Sequence, residues 1–558
     1  IIEKFDVSQI INYQKEYFMK RTLLCILIVL LVSVLALFAS GEQEETASSV
    51  KVSAPGVFPI VEEKVSYDAL FVDHQFVEDF TTNKLTLYLE ELTNVHLNIE
   101  TIPQGADAIS QKLNILFASG EYPDMFLLEN LDKAMVSKFG GDNFFIPLND
   151  MIEEHGVNIK DRWTEFPFMR KGITSADGNI YSLPRVEENF QVGFPVRGWL
   201  YEPWMKKLGL EKPQTTEDLR EILIAFRDED PNGNGIADEI PMAGAITGWY
   251  TFIYPYLMNS FIFCDQRTFL IPQDDGNLEF AANKDEWKEG IKYIKSLYDD
   301  GLIVVDSFIQ DQKQLRQMGE NPNIPILGAA TGGWWGNFTI NGSESGRYAD
   351  YITMPALEGP AGVRLTPQYD PQVKPQFFIS DLAENPEILV KWADFFLSYE
   401  GTMMGYYGFE GIEWRKAEPG EIGVMGMKPI HKIIETFGKL QNDTWHHRAP
   451  TFSTKDIIFG EVTENPDDPT SRLTEYSYED YVPYAKKAIS VNLYLNTEDV
   501  SEGNETKTQV LETVKNYTIR FITGDLDLEK DWDTYLRELK DAGLDRFIEI
   551  YQAAYVPW

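Results

Sequence analysis

Apolar residues along most of the chain fall into two alternating patterns. Short runs such as Leu70-Phe71-Val72, Leu97-Asn98-Ile99 and Met125-Phe126-Leu127-Leu128 read as strands. Between them, residues 82–93 and 108–118 repeat with helical spacing; the second places Ile109, Leu113 and Leu116 on one face and stops at Ser119-Gly120. A helix is predicted over 216–227, where Thr215 caps, Asp218 reciprocates three residues later, and Leu219, Ile222, Leu223 and Phe226 form the apolar stripe. Further helices are expected over 284–298, 386–399, 505–523 and 532–556. Strand and helix in alternation predict an α/β architecture, and no period of the kind that builds solenoids is present.

A chain of 558 residues exceeds what one hydrophobic core organises, so more than one lobe is expected. The N-terminal region adds a destination. Met19-Lys20-Arg21 precedes an apolar run over 22–38, then Ala39-Ser40-Gly41 and the acidic Glu42-Gln43-Glu44-Glu45, the layout of a secretory signal peptide. Residues 19–40 are therefore read as the signal, 1–18 as an extension ahead of the true start, and 41–56 as a flexible leader. Cys25 lies in the segment expected to be removed, which leaves Cys264 alone and no intrachain disulfide. Position 41 is Gly, so lipid anchoring has no attachment point there, and a periplasmic or extracellular protein is expected. A formal net charge of -39 sets the chain against nucleic acid, whose phosphates it would repel.

Two groups of residues carry candidate chemistry. From Asp228 to Glu239 the sequence packs oxygen-bearing side chains into a Gly-rich loop. Counted from Asp230, it offers Asp230, Asn232, Asn234 and Asp238 at positions 1, 3, 5 and 9, Gly235 at 6 and the Ile236 carbonyl at 7, the arrangement of a Ca²⁺ loop. Position 12 is then Pro241, so Glu239 would complete the shell; counted from Asp228 instead, Gly233 falls at 6 and Glu239 at 12. The expected ion is structural Ca²⁺, and a plain Asn/Gly turn is the bland alternative. The second group is aromatic: Trp334-Trp335 between glycines, Trp249-Tyr250, Trp199 near Tyr201 and Trp204, and Trp414 beyond Glu410. Ring faces stack on sugars while carboxylates take hydroxyls, so these residues suit a saccharide cleft as well as a core. No HExxH, GxSxG, GxxxxGK[ST] or GxGxxG occurs, which removes the usual support for metalloprotease, hydrolase and nucleotide-binding readings.

Several stretches, in order, resemble the extracellular solute-binding proteins of ABC importers, particularly the large oligosaccharide-binding branch that includes alginate-binding proteins. They are LNILFASGEYPDMF from Leu113, GNIYSLP from Gly178, VRGWLYEPWMKKLGLEKPQTT from Val196, the Ca²⁺-type loop with Ile240-Pro241, ALEGPAG from Ala356 and EGTMMGYYGFEGIEW from Glu400. The resemblance implies a two-lobed type II periplasmic-binding-protein fold with a two- or three-segment hinge. It divides the chain into 57–190 with 358–410 as lobe 1, and 191–357 with 411–558 as lobe 2. It also implies an oligosaccharide ligand, ABC permease subunits as partners, a monomer, and binding without turnover. Trp334, Trp335 and Trp414 are the first expected stacking residues, followed by Trp249, Tyr250, Trp199 and Glu410; the metal role falls to Asp230, Asn232, Asn234, Ile236, Asp238 and Glu239. A secreted polysaccharide-degrading enzyme is the alternative reading.

Overall fold

Five parallel strands and one reversed strand make the first sheet, and the runs that read as strands supply its centre. The computed structural model describes residues 50–557 apart from 75, 130, 189, 342, 435–439, 464–468 and 497, so the expected signal segment lies outside the described residues. Strands β1 (Val65–Val72), β2 (Val95–Ile102), β3 (Met125–Leu127) and β4 (Leu183–Glu187) are joined by Gln372–Ile379 and Phe452–Ser453. Their spatial order is Phe452–Ser453, β4, Gln372–Ile379, β3, β1, β2. Strand β1 pairs in parallel with β2 and β3, whereas Gln372–Ile379 runs antiparallel to both β3 and β4. A smaller sheet holds β5 (Gly198–Tyr201) and β6 (Ile240–Ala243) with Leu327–Thr331 and Tyr351–Met354.

Each sheet has its own core. Leu70, Val72, Phe126 and Phe378 pack with Ile109, Leu113 and Phe117 of the helix Ala106–Ser119 in the first. In the second, Trp199, Met242 and Ala329 pack with Leu219, Leu223 and Phe226 of the helix Thr216–Asp228. The capping box expected at Thr215 and Asp218 is present. This is the two-lobed α/β fold of type II. Among the described residues no helix is long and apolar enough to cross a membrane.

The chain crosses between lobes in three places: between β4 and β5, between Met354 and Gln372, and after Ser453. Two crossings run side by side, since Thr366–Gln368 pairs in parallel with Ala485–Lys487. Leu365 and Tyr369 pack on the second core. In the stretch that follows Tyr406, Phe452 sits beside Val186 of the first sheet, and Trp445 is fully buried against Phe71, Phe80, Trp392 and Phe396. This stretch is irregular, so no periodicity announced where it belongs. Trp445→Ala is expected to cost about 3–5 kcal/mol, read as a lower urea midpoint.

Other departures are local. The compact unit begins at Val52, where a bridge to Val61 ties in the end of the expected leader. The predicted 386–399 helix is Pro386–Asp394, a 3-10 turn and then Tyr399–Tyr406, because the Ser398 hydroxyl accepts from Gly401 N and caps a new start. The predicted 532–556 helix is Leu528–Asp541 and Leu544–Ala554, broken at Gly543 with φ 90°.

Candidate functional site

In open α/β sheets the ligand side is the one toward which the parallel strands present their carboxyl ends. On the first sheet that edge is ionic and imidazole-rich. His74 follows β1, Glu129 follows β3, Glu187 ends β4, and Lys374 lies at the start of the reversed strand and so at the same edge. Glu129 is shared by two buried guanidiniums: Arg185 donates to Oε1 at 3.1 Å and Arg448 to Oε2. Glu187 takes Arg185 on one oxygen and Lys374 Nζ on the other at 2.8 Å. Those two cations hold the Glu187 carboxyl far below the usual carboxylate range, despite its burial. Gln376 donates to the carbonyls of His447 and Arg448 and fixes that turn.

Three of the six histidines meet here. The rings of His74 and His446 stack at 5.1 Å, and His447 lies 5.9 Å from His74 and 4.9 Å from Tyr406. Burial, helped by Arg448 and by the neighbouring imidazole, lowers His74 to about 3; burial and Arg448 lower His446 to about 4; burial and Arg185 lower His447 as well. An unfolded histidine titrates near 6.5, so the unfolded chain takes up protons that the folded chain refuses. Stability is therefore full above about pH 6.5 and falls as the pH drops toward 4, His446 alone accounting for about 3 kcal/mol of that loss. The expected result is a melting temperature that declines between pH 7 and 4.5, with the slope reduced in His446→Asn. Asn tolerates the positive φ of 52° at this position.

The matching edge of the second lobe is aromatic. Strand Leu327–Thr331 runs into Gly332-Gly333-Trp334, and Gly333 N donates to the Trp249 carbonyl at 2.9 Å. A Cβ on Gly333 would stand 2.3 Å from the Trp249 ring, so the glycine is what lets that indole lie on the strand end. Tyr250 meets Trp249 edge-on at 5.8 Å and lies 6.1 Å from Tyr369. Trp249, Tyr250 and Trp334 are half-buried.

The remaining expected stacking residues sit elsewhere. Trp199 and Trp335 are 1 % and 6 % exposed and pack on each other at 5.9 Å, and Trp199 Nε1 donates to the Gly332 carbonyl at 2.7 Å. The space left beside them is about 10 Å³, at the lower limit for one water. The glycines around Trp334-Trp335 thus seat rings against backbone rather than present the pair at a surface. Trp414 is 2 % exposed in the first lobe, its Nε1 donating to Gly408. Glu410 is exposed beside it and pairs with Lys416 at 3.3 Å. Trp199, Trp335 and Trp414 therefore offer no open ring face. Sequence reading missed the His74, Glu129, Arg185 and Arg448 cluster; its one signal was a charged or imidazole residue directly after an apolar strand run, as at His74 and Glu129.

The Asp230 loop converges in the register counted from Asp230. Asp230 Oδ1 accepts from Gly233 N and Asn234 N at 2.9 and 3.1 Å, and its Oδ2 accepts from Gly235 N at 3.0 Å. The Asn232 and Asn234 amides both reach Asp238 Oδ1, at 2.8 and 3.1 Å. Asp228 instead turns outward onto Arg227. Glu239 Oε2 is buried with no hydrogen-bond partner, an acceptor left over inside the loop. Among the described residues no group of three or more His, Cys, Asp or Glu side chains is placed to hold a metal ion. The loop's donors instead mix carboxylates with two Asn amides and the Ile236 carbonyl, a set that fits a hard cation by chemistry.

Two lobes with complementary strand-end chemistry, bridged by three crossing segments, define a binding protein of the hinged kind. Residues 73–403 match the family of bacterial extracellular solute-binding proteins, and the chain belongs to that family. It is 27% identical over 553 residues to the fructooligosaccharide ABC transporter substrate-binding protein FusA of Streptococcus pneumoniae, covering 94% of this chain and 97% of FusA. A solved structure of FusA with kestose superposes with a TM-score of 0.73 at 25% identity over 88% of this chain and 98% of that one. A FusA EF-hand mutant in complex with fructo-nystose gives the same TM-score at 24% identity and the same coverage. The alginate-binding protein AlgQ2 solved without calcium shares the fold, with a TM-score of 0.62 at 20% identity over 90% of this chain and 99% of that one.

Proposed function

We propose that this chain captures an oligosaccharide outside the cytoplasmic membrane and delivers it, chemically unchanged, to the permease subunits of an ABC importer. The observation that carries this reading is the pairing of a half-buried aromatic edge, Trp249, Tyr250 and Trp334, with an ionic edge, Glu129, Arg185, Glu187 and Lys374, at the strand ends of two hinged lobes. Ring faces take the apolar sides of sugars and the polar edge takes hydroxyls. Closure follows from differential contacts of the guest with both lobes. FusA, a fructooligosaccharide binder that matches nearly end to end, supports the ligand class. Titration with kestose and nystose, followed by mass analysis of the recovered sugar, tests it: binding with unchanged mass supports capture, and shortened products support the enzyme reading instead.

The chain is expected to act as a monomer, exported by the 19–40 signal. In the second lobe, Asp230, Asn232, Asn234, Asp238, Glu239 and the Ile236 carbonyl would hold Ca²⁺ in a structural role, consistent with the EF-hand named for FusA. An ion bound only by the native state stabilises it by about 2.7 kcal/mol at a hundredfold excess over Kd. Chelator-treated protein is therefore expected to melt lower and recover on adding Ca²⁺, and Asp230→Ala should abolish the recovery. A melting temperature indifferent to chelator would remove the ion.

A further inference from the structure

We propose that a partly open pocket lined by Lys133, Arg267 and Lys507 binds an oxyanion group, a carboxylate or a phosphate-type ion. The pocket measures about 190 Å³ and draws its walls from both lobes and a crossing segment. Lys133 opens the helix Lys133–Gly141 of the first lobe, Arg267 belongs to the second, Lys507 lies on the helix Val500–Thr523, and Ser490 and Tyr494 come from the crossing. Three cations converge there, with Asp132, Asp265 and Asp370 within electrostatic reach of them.

None of the three is neutralised by an ion pair with a described carboxylate. The Lys133 ammonium donates to the Gly172 carbonyl at 2.8 Å and stands 4.4 Å over the Tyr494 ring. The Arg267 guanidinium stacks 5.0 Å over Tyr369, and its Nη1 is buried with no acceptor. The carboxylates within electrostatic reach accept hydrogen bonds from neutral groups and keep their charge. Asp132, the one acid on the wall, caps its helix through Ala134 N at 2.7 Å. Asp265 accepts from Arg267 N, Thr268 Oγ1 and Tyr369 Oη, and Asp370 from Ser490, Val491 N and Asn492. Burial and the neighbouring Arg267 push Lys133 down to about 7, a cost that a bound anion would reverse. An unsatisfied buried guanidinium N–H beside a desolvated ammonium is a recognition surface for oxyanion geometry.

The volume accommodates one anionic group and its immediate atoms rather than a whole oligosaccharide. Two sources share this chemistry: an acidic sugar residue of the captured guest, which rests on the function proposed above, and a free inorganic ion, which does not. Because the walls belong to different lobes, an occupant also favours the arrangement that brings Lys133 toward Arg267 and Lys507.

Calorimetry at low salt on the full chain decides, with sodium phosphate, trigalacturonate and neutral kestose as probes against wild type, Lys507→Gln and Lys133→Gln. Phosphate or trigalacturonate should bind, weaken with added salt, and lose at least about tenfold in affinity in each variant, while kestose binding is unaffected by either substitution. Binding of phosphate identifies a free ion as sufficient; binding of trigalacturonate alone identifies the sugar's carboxylate. Failure of both anions at millimolar concentration, or equal affinity in wild type and both folded variants, overturns the pocket. Kestose separates the two ideas: anion binding that depends on Lys507 with no neutral sugar bound keeps the pocket and withdraws the neutral ligand class, and the converse does the opposite.

Discussion

Replacing Glu129 with alanine is expected to destabilise the protein by about 3–5 kcal/mol. The carboxylate is the common acceptor for Arg185 and Arg448, which are 3 % and 0 % exposed. Removing it leaves Arg448 without its carboxylate partner and Arg185 with Glu187 alone, and a buried charge without its partner costs far more than a surface pair ever contributes. Arg448 also donates to the carbonyls of Val72 and Asp73, so the loss spreads to the end of β1. Glu129→Gln, which keeps an acceptor oxygen but not the charge, should lose less. Urea unfolding monitored in the first lobe measures it; a loss under about 1 kcal/mol would show that the cluster is solvated and that its ionic edge is not organised as described.

The double substitution Trp249→Ala and Trp334→Ala is expected to weaken oligosaccharide binding by a factor of several hundred, since an aromatic anchor in a desolvated contact is worth about 2 kcal/mol or more. The unliganded melting temperature should move little, because both rings are half-buried and already partly exposed. Trp199→Ala is the contrast: a ring sealed against Trp335 and Phe338 should lose stability by about 3–5 kcal/mol before any effect on the ligand can be read. If the double variant binds sugar as tightly as wild type, the aromatic edge is not the sugar platform.

How far the chain could be read in advance follows from which features have a period. The helix after Thr215 was legible to within one residue because a capping box and an amphipathic stripe agree. The strand runs at Leu70 and Met125 were legible because fully buried parallel strands are continuous apolar segments. The placement of Trp445 and Arg448 was not, since they reach the first core from a loop end and a three-residue 3-10 turn. The candidate site divides along the same line. Trp249, Tyr250 and Trp334 were chosen for their residue type, yet the same criterion also chose Trp199 and Trp414, and only burial separates a platform from a core ring. The His74, His446 and His447 group could not be found from spacing, because two of its members are adjacent in sequence and the third is far away; the positive φ of 52° at His446 is what turns the pair inward. In the Ca²⁺-type loop the sequence left two registers open, and the outward ion pair between Asp228 and Arg227 distinguishes them.

The account is tested most directly by calorimetric titration of the purified chain with a defined set of oligosaccharides, kestose, nystose, maltotriose and trigalacturonate, each recovered afterwards and weighed by mass spectrometry. Binding of at least one of these sugars one to one, with every molecule returned at its original mass, is the predicted result. Absence of binding across the set, or recovery of shorter fragments, would contradict it.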